Sequence, residues 1–258
     1  MATVRRIVAP NPGPFTGPGT NTWLLSDERA TIVIDPGPDD ERHLGAIQSA
    51  LAGRPVGVVL VTHAHSDHVE LAERFATLHL ARIARHPELG DGDLVRVGGL
   101  TVEAVHTPGH APDHLAFWLG ADRVLFTGDL ILGRGSSMVT YPEGDVAAYL
   151  RSLERVAALR PRMLFPGHWD PVEEAEAKIV EYREHRLARE RQLMAEVEAG
   201  GPGTASELTE RVYSAELEAA GEARTQLLRA AEMTLRAHLR KLVDEGRVVD
   251  QDGVYSAT

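Results

Sequence analysis

Cysteine is absent from the 258 residues, so disulfides, thiolate metal ligands and thiol nucleophiles are all excluded. Any metal site has to be assembled from histidine and carboxylate. No apolar run reaches membrane-spanning length. The opening stretch, MATVRRIVAPNPGPF, lacks the apolar core of a secretory signal, so the expected location is the cytoplasm, with no membrane partner. A surplus of basic charge is also missing. The formal net charge of −11 at pH 7 argues against a broad electropositive surface for nucleic acid or anionic lipid, and leaves room only for a local basic patch. The length suits one large domain, or one domain with a small appendix.

Hydrophobic patterning fills that frame. Thr22–Leu25 and Ala30–Ile34 read as a hairpin around the turn Asp27–Arg29, and Asp35-Pro36-Gly37 stops its second strand. Asp40–Ala52 places Leu44, Ile47, Ala50 and Leu51 at helical spacing. The continuous apolar run Gly57–Thr62 predicts a buried strand, and a helix is expected over Val69–Leu78. Strands follow at Ala81–Arg85, Leu94–Val97, Leu100–His106, His114–Leu119 and Arg123–Thr127. A helix over Asp145–Leu159 and a strand at Met163–Phe165 complete the first part. The expectation is an α/β fold, an αββα sandwich of two facing sheets with helices outside, over residues 1–172. Residues 173–258 read differently: a long charged helix over Glu173–Ala199, a GGPGT linker, a short helix over Glu207–Val212, a helix over Arg224–Glu245 and a hairpin around Asp252-Gly253. Thr204 and Ser206 both offer a cap to the short helix, and Ser206 is favoured. Helix, helix, hairpin is the order of a winged-helix module.

The chemistry is concentrated in Thr62-His63-Ala64-His65-Ser66-Asp67-His68, directly after the buried strand. Alternation aims His63 and His65 at one point, and the following turn lets Asp67 and His68 face a second. Three later strands end in the same grammar, glycine and then a metal-capable residue: Gly109-His110, Gly128-Asp129 and Gly167-His168. Five imidazoles and two carboxylates suit zinc best, with manganese and iron as alternatives. His63, His65 and His110 would hold one ion, Asp67, His68 and His168 a second, and Asp129 would bridge them. Two such cations about 3.5–4 Å apart can hold a hydroxide at neutral pH as nucleophile. Asp67 is the candidate catalytic residue, orienting that nucleophile or taking its proton.

The pattern H-x-H-x-D-H, with the later His, Asp and His, resembles the metallo-β-lactamase superfamily in its dinuclear hydrolase form, and all seven positions match. Asn11-Pro12-Gly13-Pro14, Gly17-Pro18-Gly19-Thr20-Asn21-Thr22, Ile34-Asp35-Pro36-Gly37 and the winged-helix-like tail are similar to the beta-lactamase-like protein 2 branch over nearly the whole chain. The resemblance implies the metallo-β-lactamase sandwich with a winged-helix-like appendage. It also implies hydrolysis of ester-type or phosphodiester bonds, with single-stranded RNA a named substrate. Small-molecule thioesters, lactones and β-lactams are the alternative, because pocket walls rather than the metal cluster select the substrate. A regulator that binds nucleic acid without catalysis is the reading from a different class. It would be expected to have lost ligands, and none is lost. From Glu174 to Thr258 the chain carries 17 acidic side chains against 12 basic ones, which speaks against a dedicated RNA-binding appendage. The tail could instead wall the pocket or form a homodimer.

Some residues keep two readings. Asp35 is either a turn residue or, by the family pattern, a brace for the ligand loop. His114 lines the pocket or packs as a strand-end core histidine, with the second slightly favoured. Asn21 and Thr22 are read as structural, and Asp113 as a support for a neighbouring histidine. Gly133-Arg134-Gly135-Ser136-Ser137 could meet a substrate anion through Arg134 or be an ordinary polar loop, and Tyr141 has the same status. His43, His79, His86, His106, His185 and His238 show no partner pattern and are read as structural or solvated.

Overall fold

The computed structural model describes residues 2–219, 221 and 224–258. Its strands and helices, in chain order, are β1 (Thr3–Val8), β2 (Asn21–Ser26), β3 (Thr31–Ile34), α1 (Glu41–Leu51), β4 (Val56–Leu60), α2 (Ser66–Val69), α3 (Ala72–His79), β5 (Arg82–Ala84), β6 (Leu94–Val97), β7 (Leu100–His106), β8 (Leu115–Leu119), β9 (Val124–Gly128), α4 (Val146–Ala158), β10 (Met163–Pro166), α5 (Ala175–Gly200), β11 (Gly203–Thr204), α6 (Ala205–Val212), α7 (Ser214–Ala219), α8 (Arg224–Asp244), β12 (Val248–Gln251) and β13 (Val254–Ala257). They form two compact units. The first takes residues up to Pro108, Asp113–Ser137 and Arg155–Ile179. The second takes Gly109–Pro112, Met138–Glu154 and Val180–Thr258.

In the first unit two five-stranded sheets, ordered β1-β2-β3-β4-β5 and β10-β9-β8-β7-β6, share one core. Strand alternation decides which side chain goes where. Trp23, Leu25, Ile32, Ile34, Val58 and Leu60 enter the core shared with Val102, Phe117 and Phe126 of the other sheet. Their neighbours Leu24, Val33, Val59 and Val61 pack on the opposite face with Leu44, Ile47 and Phe75 of α1 and α3. Strands buried on both faces read as unbroken apolar runs, which is why β4 is legible in the sequence. Each such side chain contributes about 1.5–3 kcal/mol of burial.

Parallel pairing then sets the stage for chemistry. Ile34 pairs with Leu60 between β3 and β4, so Asp35 and Thr62 leave adjacent strand ends. Phe126 pairs with Phe165 between β9 and β10, so Asp129 and His168 leave adjacent strand ends too.

The second unit contains the winged-helix elements. Leu193 and Val197 of α5, Leu208 of α6, Leu235, Leu239 and Leu242 of α8 and Val248 of β12 form its core. Several sequence expectations change, and α7 and the two-residue strand β11 are additions. The edge strand β1 adds to the expected set; its TVRRIV run is partly exposed and lacks a clean alternation. The helix expected over Val69–Leu78 is two helices, α2 and α3. The cap of α6 is Thr204, not Ser206: its hydroxyl accepts from Glu207 N, and the Glu207 carboxylate accepts from Thr204 N in return. That reciprocal pair satisfies two otherwise orphaned amides, and α6 therefore starts at Ala205. No helix among the described residues is long and apolar enough to cross a membrane.

Candidate metal centre

The HAHSDH segment leaves β4 as a loop and closes into α2, with His68 N and Val69 N both returning to His65 O. Its residues are pinned by Asp35, which is 2% exposed. The Asp35 carboxylate accepts from Thr62 N at 2.7 Å, from Thr62 Oγ1 at 2.7 Å and from His68 Nδ1 at 2.8 Å. Asp35 is thus both the turn residue, at φ 50°, and the brace. By accepting a hydrogen bond from Nδ1 it leaves His68 Nε2 to face the interior of the site.

Four atoms converge there. His68 Nε2 lies 3.5 Å from Asp67 Oδ2 and 3.4 Å from Asp129 Oδ1. His168 Nε2 lies 3.3 Å and 3.4 Å from the same two oxygens. His68 Nε2 is fully buried and makes no hydrogen bond among the described residues. These separations are long for hydrogen bonds but match the edges of a tetrahedron whose centre lies about 2.0–2.1 Å from each corner, the range of zinc–imidazole and zinc–carboxylate bonds. The chemistry and spacing of the donors therefore fit a divalent ion. Asp67, His68 and His168 form one group able to hold it, and His63, His68 and Asp129 another. His63 Nε2 also lies 2.9 Å from His65 Nδ1, which draws the first two histidines of the motif to one point. His110 sits on the short Gly109–Pro112 segment of the second unit, where its Nδ1 meets Met138 O at 2.7 Å.

The electrostatics agree with the geometry. Burial alone would raise the Asp67 carboxyl, yet His168 and His68 hold it down at about 2. Burial would lower His168, yet Asp129 and Asp67 lift it to about 9. Against the same opposing effect of burial, His68 is pushed up by Asp129 and Asp35, and Asp129 is pushed down by His68 and His168. The carboxylates thus demand positive charge at this point. A divalent ion held by the same donors would supply it.

Glycine at the strand ends has a steric reason. A Cβ on Gly167 would lie 2.6 Å from Asp129 Oδ1 and 2.7 Å from His68 Cε1, inside the donor cluster. Gly128 turns at φ +47°, and a Cβ there would meet His114 Nε2 and Thr62.

Other residues acquire roles. His114 is wholly buried; its Nδ1 meets Thr107 Oγ1 at 2.8 Å and its Nε2 accepts from Asp129 N at 3.1 Å. It is the core histidine of the favoured reading, and it positions the Asp129 backbone. Asn21 is structural as expected, its amide donating to Pro166 O and Trp169 O. Thr22 hydrogen-bonds Asp35 O and meets His43 Nε2, which gives His43 a partner that its spacing did not announce. Sequence reasoning missed Thr20. Its buried hydroxyl donates to Asp67 Oδ2 at 3.2 Å, and Asn11 clamps it through Thr20 N and Oγ1. The Gly-Thr-Asn-Thr run was the available signal, but nothing in it says which hydroxyl reaches the site.

Residues 15–91 and 78–168 match the Metallo-beta-lactamase superfamily family. The chain belongs to the metallo-β-lactamase superfamily. Residues 204–256 match the Beta-lactamase associated winged helix domain, in agreement with the order of α6, α8 and the β12–β13 hairpin. The Beta-lactamase-like protein 2 homolog of Caenorhabditis elegans is 33% identical over 230 residues, covering 82% of this chain and 76% of that one. The Atrochrysone carboxyl ACP thioesterase of Aspergillus chevalieri is 36% identical over 203 residues, 74% of this chain and 65% of the relative; the alignment thus spans just under two thirds of that enzyme. Among solved structures, a metallo-beta-lactamase family protein from Thermus thermophilus superimposes with a TM-score of 0.81 at 26% identity, covering 99% of this chain and 98% of the other. This superfamily member is a hydrolase, with the α/β fold and winged-helix appendage expected from its sequence.

Proposed function

We propose that this chain is a dinuclear metal hydrolase that cleaves small-molecule acyl thioesters. The observation that carries the metal assignment is the convergence of Asp67, His68, Asp129 and His168 at 3.3–3.5 Å. In this reading Asp67, His68 and His168 would hold one ion and His63, His65 and His110 the other, with Asp129 as a donor available to both. Zinc is the first choice for this donor set, and manganese or iron suits it as well. When bound, the ions supply Lewis acidity toward the acyl oxygen and lower the pKa of water.

The protein's own residues do the rest. Asp67 Oδ2 faces the imidazoles and accepts from Thr20, which leaves Oδ1 of a side chain that is 25% exposed to orient attacking water and take its proton. Asp35 and His114 keep His68 and Asp129 in register. Residues 1–172 carry this chemistry, and 173–258 form the appendage.

Two observations favour thioesters. The relative named a thioesterase aligns over 74% of this chain, and the net charge of −11 disfavours a polyanionic RNA strand. The test is turnover of an acyl thioester, a lactone, a β-lactam and single-stranded RNA by zinc- and manganese-loaded protein, with Asp67→Ala beside it and metal content measured for both. Thioester turnover with two ions per chain, lost in the variant, is expected. RNA cleavage without thioester turnover would overturn the substrate assignment, and one ion per chain at full activity would overturn the dinuclear one.

A further inference from the structure

Beside the donor cluster lies a built feature that the metal chemistry does not use. Ser137 Oγ donates to Asp129 O at 2.5 Å and Gly133 N donates to His168 O at 3.1 Å, so the segment from Gly133 to Ser137 is tied at both ends to candidate metal-binding residues. Between the ties stands Arg134, exposed, with its guanidinium 5.5 Å from the centre of the Trp169 indole. No carboxylate among the described residues pairs with it. The acid nearest in sequence to that indole, Asp170, is taken by Arg6 at 2.7 Å.

The indole is itself held in place. Trp169 follows His168 directly and adopts φ +70°, a conformation that non-glycine residues rarely take. Its carbonyl is fixed by Arg6 Nη1 at 3.0 Å and Asn21 Nδ2 at 2.7 Å. Gly17, at φ +58°, lies against the ring so closely that a Cβ would stand 2.4 Å from it. Three residues on, the same loop delivers the Thr20 hydroxyl to Asp67. The platform is thus one residue from His168 on one side and joined through Gly17 to the Asp67 clamp on the other. A guanidinium stacked on an aromatic face keeps its edge N–H donors available, and those donors match a carboxylate or phosphate bidentately.

We propose that Arg134, carried on Trp169, is an oxyanion-recognising subsite that selects thioesters bearing a carboxylate or phosphate. The proposal rests on the thioesterase reading for its substrate and on the Arg134–Trp169 geometry for its ligand. The anion can sit on the thiol arm, as the phosphates of an acyl-coenzyme A do, or on the acyl arm, as the free carboxylate of a dicarboxylic monothioester does. The test compares acetyl-coenzyme A, the N-acetylcysteamine monothioester of glutaric acid and the neutral acetyl-N-acetylcysteamine, in wild type and Arg134→Gln.

The expected result is a fall of about ten- to hundredfold in the ratio of kcat/KM for one anionic substrate over the neutral one, the size of a lost charge-assisted hydrogen bond, carried mainly by KM. The substrate affected identifies the arm. Trp169→Leu should shift the same ratio in the same direction. Calorimetric binding of free coenzyme A and of glutarate asks the question without turnover. Binding by wild type that Arg134→Gln loses supports the subsite even if no thioester is cleaved, in which case only the thioesterase reading falls. Unchanged ratios in the variant, or equal binding by both proteins, overturn the subsite and leave the thioesterase reading standing.

Discussion

Glu190 and Asp129 are both carboxylates taken largely out of water, at 7% and 9% exposure, and they differ in what answers their charge. Glu190, on α5, receives Lys241 Nζ at 2.6 Å and Arg247 Nη1 at 2.5 Å. The chain supplies the counter-charge from its own permanent cations, and the cluster is complete as a structural tie in the second unit. Asp129 faces titratable imidazoles, His68 and His168 at 3.4 Å, and shares a donor group with His63. There the counter-charge can come from a metal ion. A buried cluster that closes on Lys and Arg holds a fold together, whereas one that closes on histidines at ligand-to-ligand spacing is prepared for a cation from outside.

Four changes would break or sharpen that contrast. Asp67→Ala should cut kcat by about 10²–10⁴-fold, the range for losing a residue that handles a proton in the transition state, and reduce the metal content. Steady-state kinetics with elemental analysis would check it, and retention of both ions would remove Asp67 from the ligand set. Glu190→Ala leaves Lys241 and Arg247 with the more exposed Glu245 as their remaining acid and should cost about 1–2 kcal/mol of stability, less than breaking a fully enclosed pair because Arg247 stays partly in water. Denaturant melts would show it, and metal content should stay as in the parent; a loss of metal would erase the distinction between the two clusters. Asp35→Asn leaves His68 Nδ1 without its carboxylate and should weaken metal affinity by about 10–100-fold, measured by competition with a chromophoric chelator. Equal affinity would make Asp35 a turn residue only.

The fourth change concerns His238 on α8. It is wholly buried, and neither ring nitrogen has a hydrogen-bond partner among the described residues. Burial first, then the nearby Arg186, Lys241 and Arg189, hold it down at about 3. Between that value and the ordinary histidine range the unfolded chain binds a proton that the folded chain refuses. Stability is therefore whole above about pH 6.5 and is lost as pH falls toward 3, by about 2 kcal/mol between pH 7 and pH 5. Melts across that range should flatten in His238→Leu; an equal slope would move the pH dependence to other groups.

Much of the candidate centre was legible because its donors follow strands whose apolar runs announce themselves. Thr62 to His68 sits at the end of β4, and Asp129 and His168 each follow a glycine at a strand end. The supporting contacts were not legible. Thr20 meets Asp67 across 47 positions of sequence, and Asn21 meets Pro166 across 145; no local pattern encodes such a meeting. Strand β1 escaped because its exposed edge needs no apolar period. Thr204 was the better cap for α6 because Glu207 lies three residues on and returns the hydrogen bond, a reciprocity that Ser206 cannot enter.

Residue types and their order were enough to name the kind of chemistry. With no cysteine and seven histidine or carboxylate positions in superfamily order, only a hard-to-borderline metal site built from nitrogen and oxygen was open, and the periods of 2 and 3.6 residues named the layers around it. Folding in three dimensions settled the rest: which oxygen of Asp67 faces the imidazoles, that Asp35 sets the tautomer of His68, that His114 supports rather than lines the site, and that Arg134 rests on Trp169. Each of those depends on a hydrogen bond or ring contact between residues far apart in the chain. Such contacts exist only once burial has taken the groups out of water and left them one another as partners.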